Sequence, residues 1–198
     1  MNNKELAQQS NMAFDFVHKL YLETSYLIKE FEGLLSEEEE QFIIGRPSGY
    51  GVSSRSSTGL EPHLINFWMM RSLSVFFVEE AYADLSRGQT ISKLNNDLRI
   101  IFLWVVFDSP DIDQPKIHIG VLHDIKGLKE KYTKFEWVIG HIAYNEQRMF
   151  ANLPKVDFED NYVGFKGYLK TINLFDINSS EDIQEKLLRP ALEMYRKG

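Results

Sequence analysis

The chain has 198 residues, 43% hydrophobic and 26% charged, with a net charge of -7 and no cysteine. That length supports a buried core without staples, and the lack of cysteine excludes disulfides, zinc thiolate sites and cysteine nucleophiles. The negative balance argues against broad nucleic-acid backbone binding, although it leaves room for a local basic patch.

Met1-Asn2-Asn3-Lys4-Glu5-Leu6 lacks the apolar stretch of a secretory signal. No apolar run approaches the roughly 18 to 20 residues of a membrane span, so the expectation is a cytoplasmic protein with no membrane partner. Residues 1–198 read as a single domain.

Residues 5–35 predict one helix. Ala13, Val17, Leu20, Thr24, Leu27, Phe31 and Leu34 recur at alternating spacings of four and three, with Phe14, Tyr21, Ile28 and Leu35 alongside. At about 1.5 Å per residue the helix is roughly 45 Å long. The stripe is wider than a coiled-coil seam, which places the helix across a sheet. The stripe and the 13% aromatic content favour a homodimer over a monomer, with part of the helix pairing with a second copy. His18, one residue beyond the stripe, reads as structural. Ser36 to Glu39 spells a capping box, predicting a new, solvated helical turn in Glu37–Glu40.

Gly45 to Gly59 is the least core-like stretch, rich in glycine and hydroxyls, with Arg46 and Arg55 its only charges. Long loops tend to be functional. Arg46, Tyr50, Ser53, Ser54, Arg55 and Thr58 are the candidate contacts to an anionic ligand, through guanidinium groups, hydroxyls and glycine-freed amides. The plain alternative is a surface connection or a small edge hairpin through Tyr50, Val52 and Ser54. The Gly-Lys-Ser/Thr ending of a Walker A loop is absent.

Leu64 to Val78 predicts a long strand, and Ala81 to Asn96 a short helix and turn broken at Gly88. Leu98 to Phe107 is apolar at every position but Arg99, so both alternations are hydrophobic and the strand is covered on both faces. It is the expected centre of the sheet. Asp108 to Pro115 reads as a hairpin loop. Lys116 to Lys126 is the return strand, with Ile117, Ile119, Val121, His123 and Ile125 on one face. Gly127 to Lys134 is an exposed connection, Phe135 to Tyr144 a strand, Asn152 to Asn161 a loop and Tyr162 to Phe175 the last strand. Gly120, Gly140, Gly164 and Gly167 inside these strands predict strong curvature. Asn178 and Ser179 cap a closing helix, with a kink or break expected at Pro190. The fold class is α+β: a curved, mainly antiparallel sheet of about five strands, with a long N-terminal helix and a C-terminal helix packed on it.

Pro110-Asp111 followed by Asp124-Ile125-Lys126 resembles the PD-(D/E)xK nuclease pattern, in which two carboxylates hold a divalent metal and a lysine orients water or stabilises charge. Asp111 and Asp124 lie at opposite ends of a strand roughly 25 to 30 Å long, so they cannot share an ion. A second set does converge if Phe107 pairs near Ile117: Glu79, Glu80, Asp97, Asp124 and Lys126 then meet at one rim. Such a rim suits a hard divalent cation and phosphodiester hydrolysis. Its plain reading is a set of solvated strand ends. The later strands depart from the nuclease pattern as an extra antiparallel pair. His118 and His123 point to opposite faces, His123 and His141 make only two ligands, and neither a Gly-x-Ser-x-Gly elbow nor a Rossmann glycine fingerprint is present. Beyond that conditional divalent metal no cofactor is expected. The sequence therefore favours an intracellular binding or interaction protein, with an anionic ligand or a protein as partner. The metal-dependent nuclease-like hydrolase using Glu79, Asp97, Asp124 and Lys126 is the alternative.

Overall fold

In a computed structural model of the protein, residues 2–44, 50–51, 70–82, 94 and 97–197 are described. The first helix, α1 (Asn3–Ser36), starts where Asn2 accepts the Lys4 and Glu5 amides on its side chain while Glu5 bonds back to the Asn2 amide. This closed capping box begins the helix two residues before the predicted start. At its far end Ser36 donates to Gly33 O at 2.7 Å, so Ser36 finishes α1. The expected new helical turn over Glu37–Glu40 does not form. Glu38 and Glu40 instead reach Arg196, whose Nε and Nη2 each lie 2.8 Å from a Glu40 oxygen. That bidentate clasp holds the Glu40 carboxyl below its ordinary range.

The strands are β1 (Phe42–Ile44), β2 (Tyr50–Gly51), β3 (Ser72–Glu79), β4 (Ile100–Val106), β5 (Lys116–Gly127), β6 (Lys155–Glu159) and β7 (Val163–Asn173). Six of them form one antiparallel sheet in the order β1-β3-β4-β5-β7-β6, one more than expected, and the two-residue β2 also pairs with β3. As predicted, β4 is central and every one of its residues is buried. Ile101, Leu103 and Val105 face one core, with α1 and the C-terminal helical segment above them. Ile100, Phe102, Trp104 and Val106 face the other, under the helix α2 (Phe135–Met149).

That helix corrects a predicted strand. Phe135, Trp137, Ile139 and His141 alternate, but the buried positions are Phe135, Val138, Ile139, Ile142 and Ala143, the 3.6-residue period of a helix face. Trp137 is left 40% exposed, and Gly140 consequently lies in a helix. The expected loop Asn152–Asn161 contains β6, where buried Val156 and partly buried Phe158 alternate with charged Lys155, Asp157 and Glu159. The strand expected from Leu64 begins, within the described residues, at Ser72 and runs to Glu79; residues 64–69 lie outside them. Of the segment Ala81–Asn96, residues 83–93 and 95–96 lie outside the described residues, and Glu80–Tyr82 is a 3-10 turn.

A bulge also corrects the face of Ile125. Between His123 and Lys126 the β5–β7 register slips by one residue, and Asp124 takes φ 53°. The extra residue reverses the alternation, so Ile125 joins Leu122 in the core under α2, away from Ile117, Ile119 and Val121. The closing segment comprises α3 (Ser180–Asp182), a π-helical stretch (Ile183–Leu188) and α4 (Arg189–Lys197). Around Pro190, which has no N–H to donate, the Arg189 amide bonds back to Gln184 O. The expected irregularity is thus a widened turn. No helix among the described residues is long and apolar enough to cross a membrane.

Candidate functional site

A 34-residue helix is about 50 Å long, and the sheet covers only part of α1. Thr24, Leu27, Ile28, Phe31 and Leu35 are its buried residues. Continuing the same threes and fours toward the N-terminus gives Leu20, Val17, Ala13 and Leu6. Leu20 and Val17 are half-buried, and Ala13 and Leu6 are exposed. Phe14 and Phe16 beside them are 71% and 60% exposed. The stripe that seats α1 on the sheet therefore runs on for another four turns, half-buried at Leu20 and Val17 and uncovered beyond them. Tyr21 marks the departure: its hydroxyl donates to Met70 O at 2.7 Å and its ring meets Phe107 edge-on at 5.0 Å. Burial raises its pKa.

Against the middle of α1, from Phe16 to Glu30, lies a groove of about 770 Å³. Its walls are Phe16, Leu20 and Leu27 of α1 and Leu174, Phe175 and Ile183 across from them, with Lys19, Glu23 and Glu30 at the α1 rim. The far wall is held by one bond to the residue before β5 and by two local ones. The Leu174 amide donates to Pro115 O, Asn178 Nδ2 to Phe175 O and the Asp182 amide to Ser179 Oγ. A groove with apolar walls, hydroxyls at one lip and charges of both signs at the other suits an apolar side chain flanked by polar ones.

None of the described residues chosen from sequence lines this groove. Arg46, Ser53, Ser54, Arg55 and Thr58 lie outside the described residues. The backbone of Tyr50 pairs with Val75 as part of β2. Glu79 accepts the Tyr195 hydroxyl at 2.5 Å, and burial followed by this carboxylate drives the Tyr195 pKa far up. Asp97 is exposed. Asp124 sits on the bulge, 3.6 Å from His123 Nδ1 and 3.7 Å from Lys166 Nζ. Lys126 is exposed, opposite Gly164. Ile100 pairs with Leu122, two residues from the expected register. Glu79, at the end of β3, and Asp124, on β5, thus have different partners, and β4 lies between their strands. Among the described residues no group of three or more His, Asp or Glu is placed to hold a metal ion.

Two polar centres had no clear sequence signal. His141, on α2, has Nε2 2.9 Å from Asp160 Oδ2, and Asp160 Oδ1 accepts the Tyr162 and Val163 amides. Burial opposes the Asp160 charge, but the imidazole and the two amides outweigh it and lower the pKa. The rings of Tyr132 and Tyr162 lie 5.4 and 5.2 Å from the imidazole. So enclosed, the pair acts as a clamp between α2 and the β6–β7 turn. The second centre is a rung across four strands, formed by the register pairs Ser74–Trp104, Trp104–His118 and His118–Thr171. Trp104 stacks on His118 at 4.7 Å, and His118 Nδ1 lies 2.9 Å from Thr171 Oγ1. Burial, and then the charge of Lys116, push the His118 pKa down to about 4.

Compared with protein families, curated proteins and solved structures, the chain has no match.

Proposed function

We propose that the protein is a binding and interaction module whose contact surface is α1 and the groove beside it. The observation that supports this reading is the continuity of the core-facing stripe of α1 with uncovered Leu6, Ala13, Phe14 and Phe16 and with the groove at Phe16 and Leu20. Exposed apolar surface that continues a helix's buried face is a common signature of contact with another chain. The partner class is an amphipathic helix, with apolar anchors in the groove and charges of both signs facing Lys19, Glu23 and Glu30 along the α1 rim.

The test places a photo-crosslinker at Tyr26, an exposed residue of the groove. The expected result is one discrete adduct from source-cell extract. Its crosslinked peptide, made synthetically, should bind the wild type with Kd on the order of micromolar and at least about tenfold more weakly to the Phe16→Asp, Phe175→Asp variant. No adduct, or equal affinity for both proteins, removes the reading. An anionic ligand at Arg46 and Arg55 is the second part of the proposal. It rests on local donors overcoming the repulsion of a chain with net charge -7. Calorimetric titration of mononucleotides and short single-stranded oligonucleotides should give heats with wild type that the Arg46→Ala, Arg55→Ala variant loses. Equal or absent heats in both retire that part.

A further inference from the structure

We infer that the uncovered stripe of α1 seats a second copy of this chain, the two N-terminal halves packing antiparallel about a two-fold axis. The inference rests on the reading of α1 as a contact surface and names one occupant of it. At 100° per residue, Leu6, Ala13, Val17 and Leu20 fall within about 60° of one another, on the side that carries Thr24, Leu27, Phe31 and Leu35 onto the sheet. Phe14 and Phe16 border this arc on either side, and Lys4, Glu5, Asp15 and Lys19 all fall outside it. A face with a small centre and larger ends can be its own complement, which is the requirement for an isologous contact. With the axis midway between Ser10 and Ala13, Leu6 of one copy lies against Val17 of the other. Ser10 lies against Ala13, letting the backbones approach closely.

Orientation follows from the sheet. The stripe that is free over residues 6–13 lies on the sheet over residues 24–35, so a parallel partner would need its own sheet where this copy's sheet already stands. An antiparallel partner leaves in the opposite direction and avoids that conflict. The overlap of residues 3–20 is about 27 Å long, and two helices about 10 Å across would bury on the order of 1,000 Å² in total. That is near the lower limit of specific interfaces, so the dimer should dissociate on dilution. The charges outside the arc, two lysines against one glutamate and one aspartate, are not the strongly basic face of a helix that lies on a lipid surface.

Light scattering on the full chain should give twice the 23.1 kDa monomer mass at about 100 μM and fall toward the monomer near 1 μM. The Ala13→Asp, Phe14→Asp variant changes exposed residues only. It should stay monomeric throughout with an unchanged circular dichroism spectrum. Because the chain has no cysteine, single-cysteine variants report orientation. Ser10→Cys and Ala13→Cys should oxidise to covalent dimers, whereas Leu6→Cys, about 16 Å from its counterpart in the antiparallel pair, should not. A monomeric wild type at about 100 μM, a variant that still dimerises, or equal crosslinking of Leu6→Cys overturns the inference. So does binding to mixed neutral and anionic vesicles that the variant loses, which assigns the stripe to lipid. If the wild type is monomeric but the Tyr26 adduct still forms, only the second copy is lost; if neither appears, both readings fail.

Discussion

Gly120→Ala is expected to abolish folding or to cost about 4 kcal/mol or more, although it adds a single methyl group. A Cβ at Gly120 would stand 1.9 Å from Tyr168 O, 2.8 Å from the Tyr168 carbonyl carbon and 2.9 Å from Leu169 Cα. All three are backbone atoms of β7, so no side chain can rotate away, and β5 and β7 would have to separate. That pairing runs from Lys116–Asn173 to Gly127–Val163 and joins the centre of the sheet to its β6 edge. Gly164→Ala is the control. Its Cβ would meet Glu159 side-chain atoms at 3.3 and 3.4 Å, and the cost should stay near 1 kcal/mol because a flexible side chain can yield. Urea denaturation of both variants checks the contrast. A Gly120→Ala protein as stable as wild type would show that β5 and β7 are not this close.

Acid should weaken the fold through His118 before most carboxylates titrate. Its pKa is 6.5 when unperturbed and about 4 in the folded chain, chiefly because the ring is buried and secondarily because Lys116 is nearby. Between these values the unfolded chain binds a proton that the folded chain refuses. Stability is therefore fully present above about pH 6.5 and is lost as pH falls toward 4, by up to roughly 3 kcal/mol. His118→Gln, neutral at every pH, should show a flatter stability curve across that window. Nuclear magnetic resonance titration should find the His118 ring neutral at pH 5. A ring that titrates near 6.5 would remove both the burial argument and the predicted slope.

Where one periodicity dominates, the fold was legible. β4 could be assigned because both alternations are apolar, and α1 because its stripe persists through many turns. Phe135–Tyr144 was ambiguous because its residues satisfy a period of two and a period of 3.6 together, and only packing under the sheet separates them. The bulge at Asp124 had no sequence mark, since a non-glycine residue adopts the positive φ. The Asp160–His141 clamp depends on α2 being a helix, so the strand assignment hid it. The groove was illegible for a different reason: its walls, around Leu20 and Leu174, are distant in the chain and become neighbours only through the sheet order.

The Arg196 clasp bears on how the chain acquires its structure. Arg196 bonds to Glu40 across 156 positions of sequence, and Tyr195 to Glu79 across 116. Contacts this distant close large loops and slow the search for the native state. During synthesis, Phe42, Leu35 and the first face of β4 must wait for residues 183–196 before they are shielded. A ribosome-bound chain would therefore carry an unfinished hydrophobic layer until that segment has emerged, making the layer a natural point of chaperone contact.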